Sequence, residues 1–285
     1  MRSGAAPVRG ADIGTPAASG FRVHPTEYGA WFLVGVPWAA GMVAGRGPAG
    51  GWLLGGALAC GVAAREPLLW ALWRWRRRLP AVPTWRAGVV FAVGALVAGA
   101  AWARSGVDAT GLFCLGAAGL LGLADVAARV LWSKPTPAGS LGGAVAGGLV
   151  CPALLSGSGP PAPEAWLLGA GMAYILGVSL CAMHLFLARV PRHPCGVAGM
   201  TALLWGWTVG AGTLLLAAGL WVGADRSVAM ALGIGVLRAQ RARRQPRTTA
   251  FRRLGWREAC WIATMAALIL APVALPAAGA RAPLP

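Results

Sequence analysis

Nine apolar runs, each 17 to 25 residues long, follow one another along this chain of 285 residues. They lie at 28–45, 51–73, 86–104, 109–131, 138–156, 165–188, 198–222, 227–243 and 257–276. About 20 apolar residues cross the hydrocarbon core of a bilayer as an α-helix. We therefore expect an all-α protein, a polytopic transmembrane helix bundle of about nine spans. The eighth run is the weakest, because its uncharged part is only 227–237, and a half-helix is the alternative there.

The low charge of the chain agrees with a membrane location. Charged residues make up 12% of the chain, whereas soluble domains carry about 25%, which excludes an ordinary water-soluble enzyme. We expect a disordered cytoplasmic tail over 1–22, a single transmembrane helical domain over 23–276 and a short outer tail over 277–285. The tail lacks the apolar run of a secretory signal.

Arginine placement predicts the orientation, because short cytoplasmic loops carry the excess of positive charge. With nine spans and the N-terminus inside, 21 of the 25 Lys and Arg residues face the cytoplasm. Four stay outside: Arg46, Arg104, Arg226 and Arg281. Lysine occurs once, at Lys134, and the preference for arginine with abundant Ala and Gly is typical of a GC-rich bacterial genome. We therefore expect a multi-pass protein of the bacterial cytoplasmic membrane, with the N-terminus in and the C-terminus out.

Metal and cofactor motifs are missing from the sequence. The six cysteines show no CxxC spacing, and no second histidine lies within helical spacing of His184. We expect no cofactor and no metal. The basic runs at 73–78 and 238–253 attract anionic headgroups at the cytoplasmic face. The lipid bilayer is thus the expected partner, and nucleic acid is not.

A few polar residues gather on the cytoplasmic half of the predicted bundle. Ionisable groups inside a membrane are costly and usually face a cavity or the bundle interior. The candidate polar pocket comprises Glu27, Tyr28, Trp31, Arg65, Glu66, Asp125, His184 and Glu258. No catalytic residue is assigned.

Several of these residues also have a purely structural interpretation. Asp125 and Arg129 are spaced i, i+4 and can pair on one helix face. Glu27 and Glu258 occupy the first turns of predicted helices, where the helix dipole favours a carboxylate. His184 can be a hydrogen-bonded interhelical histidine.

Glu66 is harder to explain by structure alone. The adjacent Arg65 is expected to point elsewhere, and Pro67 removes a backbone donor. Glu66 therefore needs a partner from another span, or it lines a cavity.

The stretch HPTEYGAWFLVGVPWAAG, residues 24–41, resembles the opening of the YwiC-like family of bacterial multi-pass membrane proteins, whose hallmark is PxEHGAW. The family histidine is replaced here by Tyr28. Two further stretches look similar, one at 67–78 and one that runs into Arg189 and Pro191. The resemblance implies no particular activity. The matching residues of the first motif are Pro25, Glu27, Gly29, Ala30, Trp31, Pro37 and Gly41.

Two functions remain as alternatives. The first is a non-catalytic carrier or accessory factor with a small cytoplasm-facing cavity built from Glu27, Tyr28, Glu66 and Asp125. The second is a divergent lipid transferase, because nine spans with a polar cytoplasmic face are similar to the UbiA-type prenyltransferases. That family holds Mg²⁺-diphosphate with aspartate-rich motifs, and this chain has no DxxxD. A carrier additionally requires two repeats, and none is recognisable in the sequence.

Overall fold

The computed structural model describes residues 28–45, 50–80, 83–132, 136–156, 163–189, 196–222, 225–244 and 251–274. Every regular element in these ranges is an α-helix, and each predicted apolar run falls on one of them, which confirms the all-helical class. The predicted tails lie outside the described residues. The helices are α1 (Tyr28–Ala44), α2 (Gly51–Arg76), α3 (Thr84–Ala103), α4 (Ala109–Trp132), α5 (Pro137–Leu155), α6 (Pro163–Leu187), α7 (Val197–Val222), α8 (Asp225–Arg244) and α9 (Phe251–Ala274).

Two boundaries differ from the sequence-based prediction. Helix α8 runs unbroken for 20 residues, about 30 Å, which extends past its uncharged part at 227–237. Helix α9 begins at Phe251, six residues before its apolar run. The Arg and Leu residues in this added segment have high helix propensity although the segment is not apolar. Glu258 therefore lies beyond the first turn of α9, and its predicted capping position is wrong.

Five helices are long and apolar enough to cross a membrane: α3, α4, α5, α6 and α7. Helix α1 contributes a shorter apolar stretch, Trp31–Ala44. Helices α2, α8 and α9 are long but carry several charged side chains. These lengths and compositions agree with a helical membrane protein.

Helix α6 lies at the centre of the bundle and α3 at its edge. Of the apolar segment of α6, 72% is buried, against 11% for α3. Side chains of α6 such as Leu176 and Val178 are in contact with a core that includes residues of α5, α7, α8 and α9. A second core, around Leu54 and Trp102, joins α2 and α3 to α4 and α5.

Close backbone contacts hold successive helices antiparallel. Gly148 of α5 and Gly169 of α6 face each other, and a Cβ atom on Gly169 would lie 2.7 Å from the Gly148 carbonyl oxygen. Small residues are used in this way where lipid supplies no hydrophobic drive between helices. Helices α1 and α5 instead run parallel, since Leu33 lies against Gly143 and Gly41 lies against Cys151.

The first eight helices divide into two successive sets of four with similar spacing along the chain. The starts of α1 to α4, at residues 28, 51, 84 and 109, recur 109, 112, 113 and 116 residues later as the starts of α5 to α8, at 137, 163, 197 and 225. Each set has four helices, so both begin on the same side of the bundle. We refer to α1–α4 as the first half and to α5–α8 as the second half.

An arginine clasp repeats in the two halves. Arg76 at the end of α2 donates from Nη1 to the carbonyl oxygens of Val130 and Leu131 at the end of α4, the latter at 2.7 Å. Arg189, just after α6, donates from Nη2 to the carbonyl oxygens of Ala242 and Arg243 at the end of α8, at 3.0 and 2.8 Å. Terminal carbonyls of a helix lack intrahelical partners and carry negative partial charge. Each clasp thus fixes two helix ends on the same side of the bundle.

Candidate functional site

Asp125, Arg65 and Glu66 form a charged cluster between α2 and α4. The Nη2 atom of Arg65 donates to Oδ2 of Asp125 at 2.8 Å. The Nη1 atom of the same guanidinium lies 3.5 Å from Oε1 of Glu66. The expectation that Arg65 points away from Glu66 is wrong, because the long arginine side chain reaches both carboxylates. Asp125 is buried, and the other two residues are half-buried.

The other carboxylate oxygen of Asp125 lies against the start of α5. A Cβ atom on Gly139 would collide with Oδ1 of Asp125, so only glycine permits this approach. Thr136 caps the helix by accepting a hydrogen bond from the Gly139 backbone nitrogen at 3.0 Å. The first turn of α5 contains no acidic residue of its own. Asp125 therefore brings a negative charge from α4 to the positive end of the α5 dipole.

His184 extends the polar side chains to α6. Its Nε2 atom lies 2.8 Å from the hydroxyl oxygen of Ser140, the residue that follows Gly139. Both side chains are buried. A hydrogen bond between buried partners avoids the cost of an unsatisfied polar group in an apolar bundle. We call the set Arg65, Glu66, Asp125, Ser140 and His184 the junction cluster, because α2 and α4 belong to the first half and α5 and α6 to the second.

Glu258 is paired with Arg238 of α8. Its carboxylate accepts two hydrogen bonds from Arg238 of α8, one from Nε at 3.0 Å and one from Nη2. Both side chains are buried, Arg238 with 3% and Glu258 with 5% of its side-chain surface exposed. The expectation that Arg238 attracts headgroups with the rest of the basic run 238–253 is wrong, because α8 carries its side chain into the bundle beside α9.

Four other predicted positions are Trp31, Glu27, Tyr28 and Arg129. Trp31 is exposed on α1. Glu27 lies outside the described residues, as do the side chains of Tyr28 and Arg129. The predicted pair of Asp125 with Arg129 and the predicted cavity wall of Glu27 and Tyr28 therefore stay predictions.

The sequence contained a signal for part of the site that composition and charge did not reveal. The Thr136 and Pro137 pair is a helix start, with a capping hydroxyl followed by proline in the first turn. It places Gly139 and Ser140 in the first turn of α5, where they meet Asp125 and His184. A serine in an apolar run carries no charge, so Ser140 is not distinguishable from a packing residue by sequence alone.

The junction cluster offers proton-accepting groups and hydrogen-bonding groups in one place. The carboxylates of Asp125 and Glu66 both contact the Arg65 guanidinium. Asp125 also lies against Gly139 of α5, and the next residue, Ser140, is hydrogen-bonded to the His184 imidazole. Within the described residues, no three His, Cys, Asp or Glu side chains come together as metal ligands. The cluster thus brings two acidic side chains, a guanidinium, a hydroxyl and an imidazole to the contact of α2, α4, α5 and α6.

Comparison of the chain with family models, with curated proteins and with solved structures gives no match. The resemblance to the YwiC-like family therefore rests on the motif residues at 24–41.

Proposed function

We propose that all nine helices cross the membrane, with the N-terminus in the cytoplasm, in the cytoplasmic membrane of a bacterium. The arginine-rich ends of α2 and α8 and the two clasps lie on one side of the bundle, as the positive-inside rule requires of the cytoplasmic side. Exposed tryptophans near both ends of helices, such as Trp75 and Trp221, fit the two membrane interfaces. Membership of the YwiC-like family is part of this proposal, and the motif at 24–41 supports it.

Cysteine labelling across α8 tests this topology. Trp221→Cys and Arg244→Cys are introduced separately into a variant without native cysteines, and both positions are exposed. A membrane-impermeant maleimide should label Arg244→Cys from the cytoplasmic side and Trp221→Cys from the other side. Labelling of both from one side would show that α8 does not cross.

The function that we propose is transport of a small polar or ionic solute, with the junction cluster as the binding site. The observation that carries this proposal is the position of the cluster, where α2 and α4 of the first half meet α5 and α6 of the second half. In transporters built from two repeats, the sites for substrate and coupling ion lie at the interface between the repeats. Buried Asp, Glu and His side chains in such proteins also serve as proton relays.

An untargeted uptake experiment tests this proposal for many solutes at once. Everted vesicles that contain the wild-type protein, Asp125→Asn, Asp108→Asn or no protein are incubated with a cytosolic metabolite extract, and their contents are compared by mass spectrometry. Asp108 is the matched control, since it accepts a hydrogen bond from the Gly111 nitrogen at the opposite end of the same helix. We expect solute enrichment in wild-type and Asp108→Asn vesicles and its loss in Asp125→Asn. Equal contents in all four preparations would contradict transport, and a modified lipid in wild-type vesicles alone would favour the transferase instead.

A further inference from the structure

A cavity of about 230 Å³ lies where the end of α2 meets the end of α4, apart from the junction cluster. It is lined by Trp73, Arg76, Arg77, Val130 and Leu131. Three of these residues belong to the basic end of α2, and the other two contribute the carbonyl oxygens bound by the Arg76 clasp. We call this cavity the α2 end pocket.

The Arg76 clasp lies within the lining of the α2 end pocket. One guanidinium nitrogen, Nη1, takes both backbone carbonyls of α4. A guanidinium carries five N–H donors. In the described residues no hydrogen bond from the other nitrogens of Arg76 is found, so donors remain for a bound acceptor.

Arg77, which also lines the pocket, lies over the ring of Trp73. The guanidinium carbon of Arg77 lies 4.4 Å from the centre of the Trp73 ring, a cation–π contact. Trp70 packs edge-on against the same ring, with the two centroids 5.4 Å apart. The cation–π contact places the Arg77 guanidinium over the face of the ring, and in the described residues no hydrogen bond or salt bridge occupies its N–H groups.

The positive charge around this pocket is not balanced by acids in the described part of the chain. No salt bridge joins Arg74, Arg76, Arg77 or Arg78 to a carboxylate there. Arg78 also adopts a left-handed conformation, with φ of 54°, in a turn position where glycine is favoured. Arg78 is thus a fourth arginine near the end of α2, and it stands at a backbone position that favours glycine.

We propose that the α2 end pocket binds the phosphate of an anionic phospholipid headgroup. The planar guanidinium group of arginine matches the oxygens of a phosphate. The source of the phosphate is a lipid, because Trp70 and Trp75 beside the pocket are exposed with 46% and 79% of their surface, as in a membrane-interface belt. Basic pockets between transmembrane helices on the cytoplasmic side are known to take lipid headgroups.

Direct binding to the purified full-length protein in detergent tests the proposal. The probes are dioctanoyl phosphatidylglycerol, dioctanoyl phosphatidylcholine and inorganic phosphate, and binding is measured by isothermal titration calorimetry on the wild type, Arg77→Gln and Arg86→Gln. Arg86 is the matched control, because its guanidinium also lies over a tryptophan, Trp85 at 5.9 Å, but does not line the pocket. Folding of each variant is checked by far-ultraviolet circular dichroism.

We expect saturable binding of phosphatidylglycerol that Arg77→Gln weakens about fivefold, the effect of one basic residue near an anionic headgroup, and that Arg86→Gln leaves within twofold. Phosphatidylcholine and inorganic phosphate should bind at least tenfold more weakly. Equal losses in the two variants would overturn the proposal, because the attraction would then be a general property of the basic face. Equal affinity for inorganic phosphate would overturn the lipid as the source.

Discussion

Arg65 and Arg238 both form ion pairs in the described part of the bundle, and these pairs differ in the exposed fraction of their side chains. The Arg65 side chain is 18% exposed and contacts two carboxylates, whereas the Arg238 side chain is 3% exposed and contacts one. Asp125 of α4 and Arg238 of α8 carry opposite charges, and each lies in the C-terminal half of its helix. At the residue scale, the Arg65 pair is partly exposed, whereas the Arg238 pair is almost completely buried.

Breaking the pair of Arg238 with Glu258 should destabilise the protein strongly. Glu258→Gln leaves the Arg238 charge buried without its counter-ion, and such a loss costs about 3–5 kcal/mol. The double variant Arg238→Met with Glu258→Met should recover most of this stability, because two apolar side chains replace the pair at similar volume. Thermal unfolding in detergent measures the difference. A Glu258→Gln variant as stable as the wild type would contradict the buried pairing.

The left-handed residue Arg78 gives a second prediction at this scale. Its backbone closes α2, with the Leu79 nitrogen donating to the Arg74 carbonyl oxygen at 3.0 Å. Arg78→Gly should stabilise the protein by about 1 kcal/mol relative to Arg78→Ala, because both variants remove the charge but only glycine adopts positive φ without strain. Their unfolding midpoints, compared in the same detergent, test this. Equal midpoints would mean that the turn carries no strain.

Helix–helix packing decides which glycines matter at the scale of the elements. Gly206 belongs to a GxxxG-spaced pair in α7, yet a Cβ atom there would meet no other atom within 4 Å in the described structure. Gly169 has no glycine four residues before or after it, yet it faces the backbone of α5. Spacing alone therefore does not separate a glycine in a contact from a glycine on the lipid side.

Alanine substitution at these two glycines should have opposite effects. In Gly169→Ala the new methyl group would lie 2.7 Å from the Gly148 carbonyl oxygen, and moving backbone apart in a packed core costs about 1–3 kcal/mol. Gly206→Ala should be neutral or stabilising by up to about 1 kcal/mol, since alanine favours the helix. Unfolding midpoints of the two variants check the order. A reversed order would contradict the α5–α6 contact.

Helix positions were predictable from the sequence, and the partners of the polar groups largely were not. An apolar run long enough to span a bilayer fixes a helix locally, so all nine runs fall on helices. The start of α9 was missed, because a charged segment such as 251–257 has helix propensity without an apolar signal. The pairing of Glu258 with Arg238 and of Asp125 with Arg65 depends on which helices become neighbours, and a local pattern carries no such information.

At the scale of the whole molecule, the junction cluster lies where the first four helices meet the next four, through the contact of α4 with α5. The two sets of four helices have similar spacing along the chain. The clasps of Arg76 and Arg189 mark one side of both halves, and the junction cluster lies on the same side, near the start of α5 and the end of α6. Access to this cluster from the cytoplasm is the central claim of the transport proposal.

Labelling of a cysteine in the cluster tests that claim most directly. Ser140→Cys and Ser156→Cys are made in the cysteine-free variant, and both serines are buried at opposite ends of α5. Everted and right-side-out vesicles are treated with a membrane-impermeant maleimide. Ser140→Cys should react in everted vesicles only, while Ser156→Cys should remain unlabelled in them. A Ser140→Cys variant that reacts from neither side, or only from the outer side, would contradict a cytoplasm-facing site.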